Sequence, residues 1–327
     1  MGRTGVSVSP LAMGTMGMGH DAATDAAVYQ ACRDAGVNLF DCADVYGKGA
    51  AEEALGRLIA GHRDEVVITT KAYFPMGPGP NQRGSSRYHL VRAVEASLRR
   101  LNTDRIDLFF LHRFDDDTDP AQTLRAVEHL VAQGKVLYLG LSNFAAWQAQ
   151  QCLGLAALHG LSPAVALQPM YNLVKRQAEV EILPMAAANG LAVFPYSPLG
   201  GGLLTGKYGR DDRPSTGRLV DNPMYTTRYG APDNYEVAER FRDAARARGV
   251  HPVTLAIAWV ASHPAVTAPL IGARDVAQLA PALAALQLSL TPEERAELSA
   301  LSPAPPPATD RNEEGSGADY ASRLTKG

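Results

Sequence analysis

The sequence predicts a single (β/α)8 barrel, the TIM-barrel architecture, and three observations predict it. Eight short apolar runs alternate with longer amphipathic stretches from one end of the chain to the other. Most of those runs are almost continuously apolar, as strands buried on both faces of a parallel sheet must be. Polar residues of unusual type close them: Asp41, Lys71, His112, Asn143, Gln168 and Tyr196. Barrel enzymes carry their chemistry at the carboxyl ends of the strands, where loops vary without disturbing the core.

Taken in order, the strands are predicted over 11–16, 39–43, 66–72, 106–112, 136–143, 165–171, 191–197 and 266–273. Helical patterns fall between them, among others over 25–35, 86–101, 120–133 and 235–247. The stretch 200–234, rich in Gly, Pro, Asp and Arg, predicts a long loop after strand 7, and loops of that length are often functional. The barrel is expected to occupy 1–302 as one domain. Residues 303–327, PAPPPATDRNEEGSGADYASRLTKG, predict a flexible C-terminal tail able to fold over a pocket.

Composition narrows the function. A chain of 327 residues is long enough for one large barrel, and 46% hydrophobic with 20% charged residues is ordinary for a globular protein. The formal net charge of −3 offers no broad basic surface, so nucleic acid is not expected as a partner. Cys32, Cys42 and Cys152 are odd in number and widely spaced, which predicts free thiols in a reducing, cytoplasmic compartment. No Cys/His cluster has metal-ligand spacing, so no metal is expected. No run approaches the roughly 18 apolar residues of a membrane span, and the N-terminus has no signal-peptide pattern.

Asp41, Tyr46, Lys71 and His112 form the candidate catalytic set. Asp41 ends one strand and Tyr46 sits on the loop that follows; Lys71 and His112 end the next two. Any one of them has an ordinary explanation, such as a turn cap, a core phenol or a lysine reaching solvent. Together at neighbouring strand mouths they suit carbonyl chemistry. Adding hydride to a carbonyl builds negative charge on oxygen, which requires a proton donor within hydrogen-bond reach. A free phenol, with pKa about 10, donates poorly near neutrality, and a nearby ammonium lowers that value. Asp41 is placed to partner Lys71, and His112 to orient the substrate oxygen.

The blocks FDCADVYG, ITTKA, DLFFLH, GLSN, LQPMYN and PYSPLGGGLLTGKY, in this order, resemble the aldo-keto reductase superfamily over about residues 5–300. The resemblance implies that Tyr46 is the general acid, that Lys71 and Asp41 tune it, and that His112 orients the carbonyl. It implies NADPH as cofactor, with NADH the lesser choice. Ser142, Asn143 and Gln168 would hold the nicotinamide carboxamide, and Tyr196 would stack on the ring above Asp41. Gly14, Thr15 and Met16 would pass close to it. Ser197, Leu199, Gly201 and Lys207 would fold over the pyrophosphate, with Arg218 a further phosphate or adenine contact. Gly272, Arg274 and Gln278 would take the adenosine end, Arg274 binding the 2′-phosphate at a helix start. Where the family usually has Glu-Asn this chain has Pro281-Ala282, which removes one adenine contact.

The resemblance implies a small-molecule carbonyl substrate held among Met18, Tyr46, Phe74, His112 and Tyr225. Aldehydes, keto-sugars, polyketide-like ketones and pyridoxal all fit, and reaction direction and oligomeric state stay open. Three other readings fit less well. GGLLTGK resembles a phosphate-binding P-loop, but Tyr208 stands where Ser or Thr would hold magnesium. Lys71 could form a Schiff base, which leaves Asn143, Gln168 and Tyr196 unexplained. Some members of the superfamily are non-catalytic NADPH-binding sensor subunits, in which the histidine position is altered; His112 is present here.

Overall fold

The computed structural model describes residues 1–311; the rest of the tail expected over 303–327 lies outside the described residues. The strands are β1 (Ala12–Gly14), β2 (Leu39–Asp41), β3 (Val67–Ala72), β4 (Ile106–Leu111), β5 (Val136–Ser142), β6 (Ala164–Gln168), β7 (Ala192–Val193) and β8 (Leu270–Ile271). They pair in parallel in the order β7-β6-β5-β4-β3-β2-β1-β8. The ring closes just beyond the paired residues: Val193 O accepts from Thr267 N and Pro195 O from Leu270 N, each at 2.8 Å. The architecture is the (β/α)8 barrel that the alternation of runs predicts.

The helices are α1 (Ala22–Asp34), α2 (Ala50–Leu58), α3 (Arg87–Leu101), α4 (Pro120–Ala132), α5 (Ala146–His159), α6 (Ile182–Asn189), α7 (Arg218–Asp221), α8 (Pro223–Tyr229), α9 (Pro232–Ala247), α10 (Pro252–Ala261), α11 (Val276–Leu283) and α12 (Pro292–Ser299). Several begin where a short polar side chain takes up a free amide. Asp21 accepts from Thr24 N at 3.0 Å, and Thr291 and Glu294 cap α12 reciprocally.

Three stretches depart from expectation. The strands predicted over 191–197 and 266–273 pair regularly over only two residues each, because Pro195 and Pro269 lack the amide hydrogen that a ladder needs. The chain stays extended even so, and a parallel bridge joins Met170 to Tyr196. The 200–234 stretch, read as loop, winds into a 3-10 turn over Gly200–Thr205, then α7 and α8, before α9 begins at Pro232.

Alternation along the strands makes two cores. Ala12, Leu39, Leu108, Phe110, Ala166, Ala192, Phe194, Ala268 and Leu270 pack together within the barrel. Their neighbours Met13, Phe40, Phe109, Leu111, Leu167, Val193 and Ile271 join the larger core between sheet and helices. Gly140 leaves room for the Phe110 ring; a Cβ there would stand 2.4 Å from it. Counting in twos along the inward positions arrives, at the carboxyl ends, at Gly14, Asp41, Lys71, His112, Ser142, Gln168, Tyr196 and Gly272. One periodicity therefore delivers the polar set to one mouth.

Candidate active site

At the centre of the mouth a buried ammonium is paired on every side. Lys71 Nζ donates to Asp41 Oδ2 at 2.6 Å, to the Cys42 carbonyl at 2.7 Å and to the Tyr46 hydroxyl at 3.3 Å. Those three bonds use its three donors. Asp41 Oδ1 in turn accepts from Thr69 Oγ1 at 2.6 Å and Gln168 Nε2 at 2.8 Å. Lys71 is 0% exposed, so its charge is tolerated only because it is paired. Burial alone would lower the Lys71 pKa; Asp41 and the Tyr46 phenol outweigh it and hold it above the ordinary value.

Tyr46 opens a short 3-10 turn through Gly49, in which Gly47, Lys48 and Gly49 have φ of 55°, 54° and 101°. Glycine suits this left-handed stretch, and at Gly49 a Cβ would also stand 2.6 Å from Arg100. The turn holds the half-buried phenol over Lys71, whose ammonium lies 5.0 Å from the ring centroid. The expected lowering of the phenol by lysine is not the net result. Desolvation pushes Tyr46 up to about 12, against the opposing pull of Lys71.

His112 meets Tyr46 edge-on at 6.1 Å between ring centroids and Phe74 at 4.9 Å. Burial, reinforced by the Lys71 charge, holds its imidazole well below the usual range, so it is neutral near pH 7. Its Nδ1 is buried without a hydrogen-bond partner among the described residues.

The amide residues expected at the nicotinamide adjoin this cluster. Asn143 Nδ2 donates to His112 O at 2.9 Å and to Ser142 Oγ at 3.1 Å, while Tyr196 OH donates to Asn143 Oδ1 at 2.7 Å. Ser142 Oγ donates to Gln168 O at 3.1 Å. Asn143 and Ser197 both adopt left-handed backbone, φ 58° and 57°, a strained state that clusters at functional sites. Thr15 is buried, its hydroxyl donating to Asp41 O at 3.0 Å, beside Gly14 and exposed Met16. On the neighbouring strand end lies Gly272, where an added Cβ would come no nearer than 3.8 Å to Gly14 O.

Leu199 precedes the glycine turn, and in it Gly201 (φ 68°) packs so closely that a Cβ would stand 2.7 Å from the Tyr225 ring. Lys207 and Arg218 are exposed; the Arg218 guanidinium lies 5.6 Å from the Tyr225 centroid. Arg274 and Gln278 are exposed at the start of α11, Arg274 N donating to Gln278 Oε1 at 3.3 Å. Neither Lys207 nor Arg274 has an acidic partner among the described residues. Glycines at the lip, amides at its centre and unpaired cations at its edge fit a dinucleotide carrying phosphates.

The residues expected at the substrate rim differ in exposure. Phe74 is half-buried against His112. Met18 is 3% exposed and packs into the outer core, because Met18 N donates to Thr15 O and turns the chain inward. Tyr225 is buried too, stacked on Tyr229 with the Arg218 and Arg228 guanidiniums on its ring. Phe114, Phe144 and Trp147 instead contribute an aromatic cluster near Asn143, with Trp147 63% exposed. Asp115, on the loop after β4, accepts from Ser85 N and Thr118 Oγ1, each at 2.7 Å, tying that loop to the one after β3.

Sequence reasoning missed a pair of buried acids behind the catalytic set. Glu52 is fully buried, accepting from Thr70 Oγ1 at 2.5 Å and Arg100 Nε at 2.6 Å. Asp44 is buried beside it. The available signal was two more acids close behind Asp41 in the chain, Asp44 three residues on and Glu52 in the first turn of the next helix. Among the described residues no group of His, Cys, Asp and Glu could hold a metal, and no helix is long and apolar enough to cross a membrane.

A barrel whose mouth joins phenol, ammonium, carboxylate and imidazole beside an amide shelf defines a class of barrel oxidoreductases. A model of the Aldo/keto reductase family matches residues 10–303, and the chain belongs to that family. It is 36% identical over 321 residues to a probable voltage-gated potassium channel subunit beta of Oryza sativa subsp. japonica, covering 95% of this chain and 98% of that one. It is 33% identical to an L-glyceraldehyde 3-phosphate reductase of Escherichia coli O157:H7, over 91% and 90% of the two chains. It is 29% identical to a versiconal hemiacetal acetate reductase of Aspergillus parasiticus, over 90% and 93%.

Proposed function

We propose that the protein reduces the carbonyl of a small or medium-sized aldehyde or ketone with NADPH, with Tyr46 as the proton donor. The observation that carries this reading is the Lys71 ammonium, 3.3 Å from the Tyr46 hydroxyl and locked by Asp41 at 2.6 Å. The carbonyl oxygen would sit between Tyr46 and neutral His112, which can bond to it without adding charge. When bound, the nicotinamide supplies the hydride for the carbonyl carbon. Tyr46 gives its proton to the oxygen as negative charge builds there. Lys71 stabilises the phenolate left behind, and Asp41 keeps the ammonium in place.

Ser142, Asn143 and Gln168 would hold the carboxamide, and Tyr196, fixed by its bond to Asn143, would support the ring. Lys207 and Arg274 would neutralise phosphates, Arg274 favouring the 2′-phosphorylated cofactor. Residues 1–302 would act as one domain. The buried thiols Cys32, Cys42 and Cys152 suit a reducing compartment such as the cytoplasm. The names of the potassium-channel relatives raise a second reading, a cofactor-binding sensor subunit, and the intact Tyr46, Lys71 and His112 favour the enzyme.

Titrating the protein with NADPH and NADH while following nicotinamide fluorescence, then adding a panel of carbonyl compounds, tests the proposal. Binding with turnover is expected. Binding without turnover on any carbonyl supports the sensor reading, and no binding overturns both.

A further inference from the structure

Asp44 is fully buried, and neither oxygen of its carboxyl group has a hydrogen-bond partner among the described residues. Only its backbone is tied, Asp44 N donating to Lys71 O at 3.1 Å. The charged groups facing it are Glu52 from α2, Arg100 from α3 and Lys71 from β3; Asp41 lies three residues before it in the chain and Tyr46 two after it. In this cluster Lys71 and Arg100 supply two positive charges, and Asp41 and Glu52, each directly bonded to one of them, supply two negative charges. The cluster is balanced without a charge on Asp44. An ionised carboxylate with no hydrogen bonds in such a place is costly, whereas the neutral acid is tolerable.

We propose that Asp44, two residues before Tyr46 in the chain, is a positioning residue that works as a neutral acid, and that losing its proton to solvent adds negative charge near Lys71 and through that ammonium weakens the phenol as a proton donor. The proposal rests on the carbonyl-reductase reading for its effect on turnover, but not for the state of Asp44 itself. Desolvation and then Glu52 push the Asp44 carboxyl up to about 7, against the Arg100 charge, a weak pull from the Val45 amide and Lys71. The change therefore falls in the neutral range, where reduction should decline as pH rises.

Asp44→Asn keeps the shape and removes the titration. In the pH profile of kcat for carbonyl reduction, the neutral descending limb of the wild type is expected to disappear in D44N, leaving the affinity for NADPH within about twofold. Glu52→Gln removes the neighbouring like charge and should move the limb to lower pH. Difference infrared titration of wild type against D44N, with neither cofactor nor substrate, should show one buried protonated carboxyl that ionises near neutrality. A wild-type pH profile in D44N, an unmoved limb in E52Q, or no such carboxyl would each overturn the proposal. If no carbonyl turns over, the functional reading fails and the infrared titration still decides the state of Asp44.

Discussion

Lys71 spends its three N–H bonds on Asp41, Cys42 O and Tyr46, so its two side-chain partners can each be removed with a distinct expected result. Tyr46→Phe deletes the proton donor alone, and turnover should fall by about 10²–10⁴-fold while NADPH quenching is kept. Near-normal turnover in that variant would contradict the assigned role. Asp41→Asn leaves a fully buried ammonium without its anion and should cost about 3–5 kcal/mol of unfolding free energy. Adding Lys71→Met to that variant should recover much of the stability and none of the activity, read by denaturant unfolding beside a turnover assay. With Tyr46 pushed up to about 12, the phenol is protonated throughout the neutral range. Reduction has its donor ready there, whereas alcohol oxidation, which needs the phenolate, should gain steadily toward alkaline pH. Asp41 and Lys71 were legible because each falls at the end of an apolar strand, where a charge demands a reason, and Tyr46 because it follows Asp41 on the adjoining loop. The direction of the phenol shift was not legible, since the balance of burial against a 3.3 Å ammonium exists only in three dimensions.

Among the elements, the helix starts and the long connection after β7 decide how a dinucleotide would be held. Arg274 precedes α11, whose N-cap Asp275 already accepts from Gln278 N at 2.8 Å. Arg274→Ala should weaken NADPH about tenfold or more and NADH little, the signature of a 2′-phosphate contact. Equal losses in paired binding titrations would remove the ground for that assignment. At Gly201, φ 68° and the Tyr225 ring 2.7 Å from an added Cβ exclude a side chain twice over. Sequence patterning found the glycines but placed Tyr225 on the rim. Nothing local in a Tyr–Arg-rich loop announces that its rings stack inward on Tyr229 and take guanidiniums on their faces. Helix α10 gives a weaker signal: its run Val253–Val260 is buried all round, which erases the amphipathic period that marks the outer helices.

Over the whole molecule, the alternation of eight apolar runs with amphipathic stretches made the barrel readable, and the polar residues closing those runs marked one rim. The truncation of β7 and β8 was foreshadowed by Pro195 and Pro269, residues that a hydropathy pattern passes over. Helix–helix approach was less visible: at Gly56 in α2, a Cβ would stand 2.7 Å from the backbone of Arg100 and Leu101 in α3. Gly56→Ala should therefore cost about 1–3 kcal/mol by overpacking, despite the better helix propensity of alanine, measured as a lowered unfolding midpoint. Asp44 gives the global stability a pH dependence with a definite sign. Its folded-state carboxyl is raised to about 7, so its contribution is fully present below the ordinary carboxylate range and is lost as pH rises through about 7. The melting temperature of wild type relative to Asp44→Asn should fall by a few degrees across that window.

The closing stitch of the ring is unlike the rest of it. β4 and β5 share five paired positions, whereas β6–β7 and β1–β8 share two each, and β7 meets β8 through a few amides around two prolines. A cylinder tears along its thinnest weld. Deuterium should therefore enter first at the amides of Thr267, Ala268 and Leu270 and last along β3 to β5. Tyr196 and Gly272 flank that weld, so the wall that opens most readily is also the one a dinucleotide would lie against, and a bound nucleotide should slow exchange there before anywhere else.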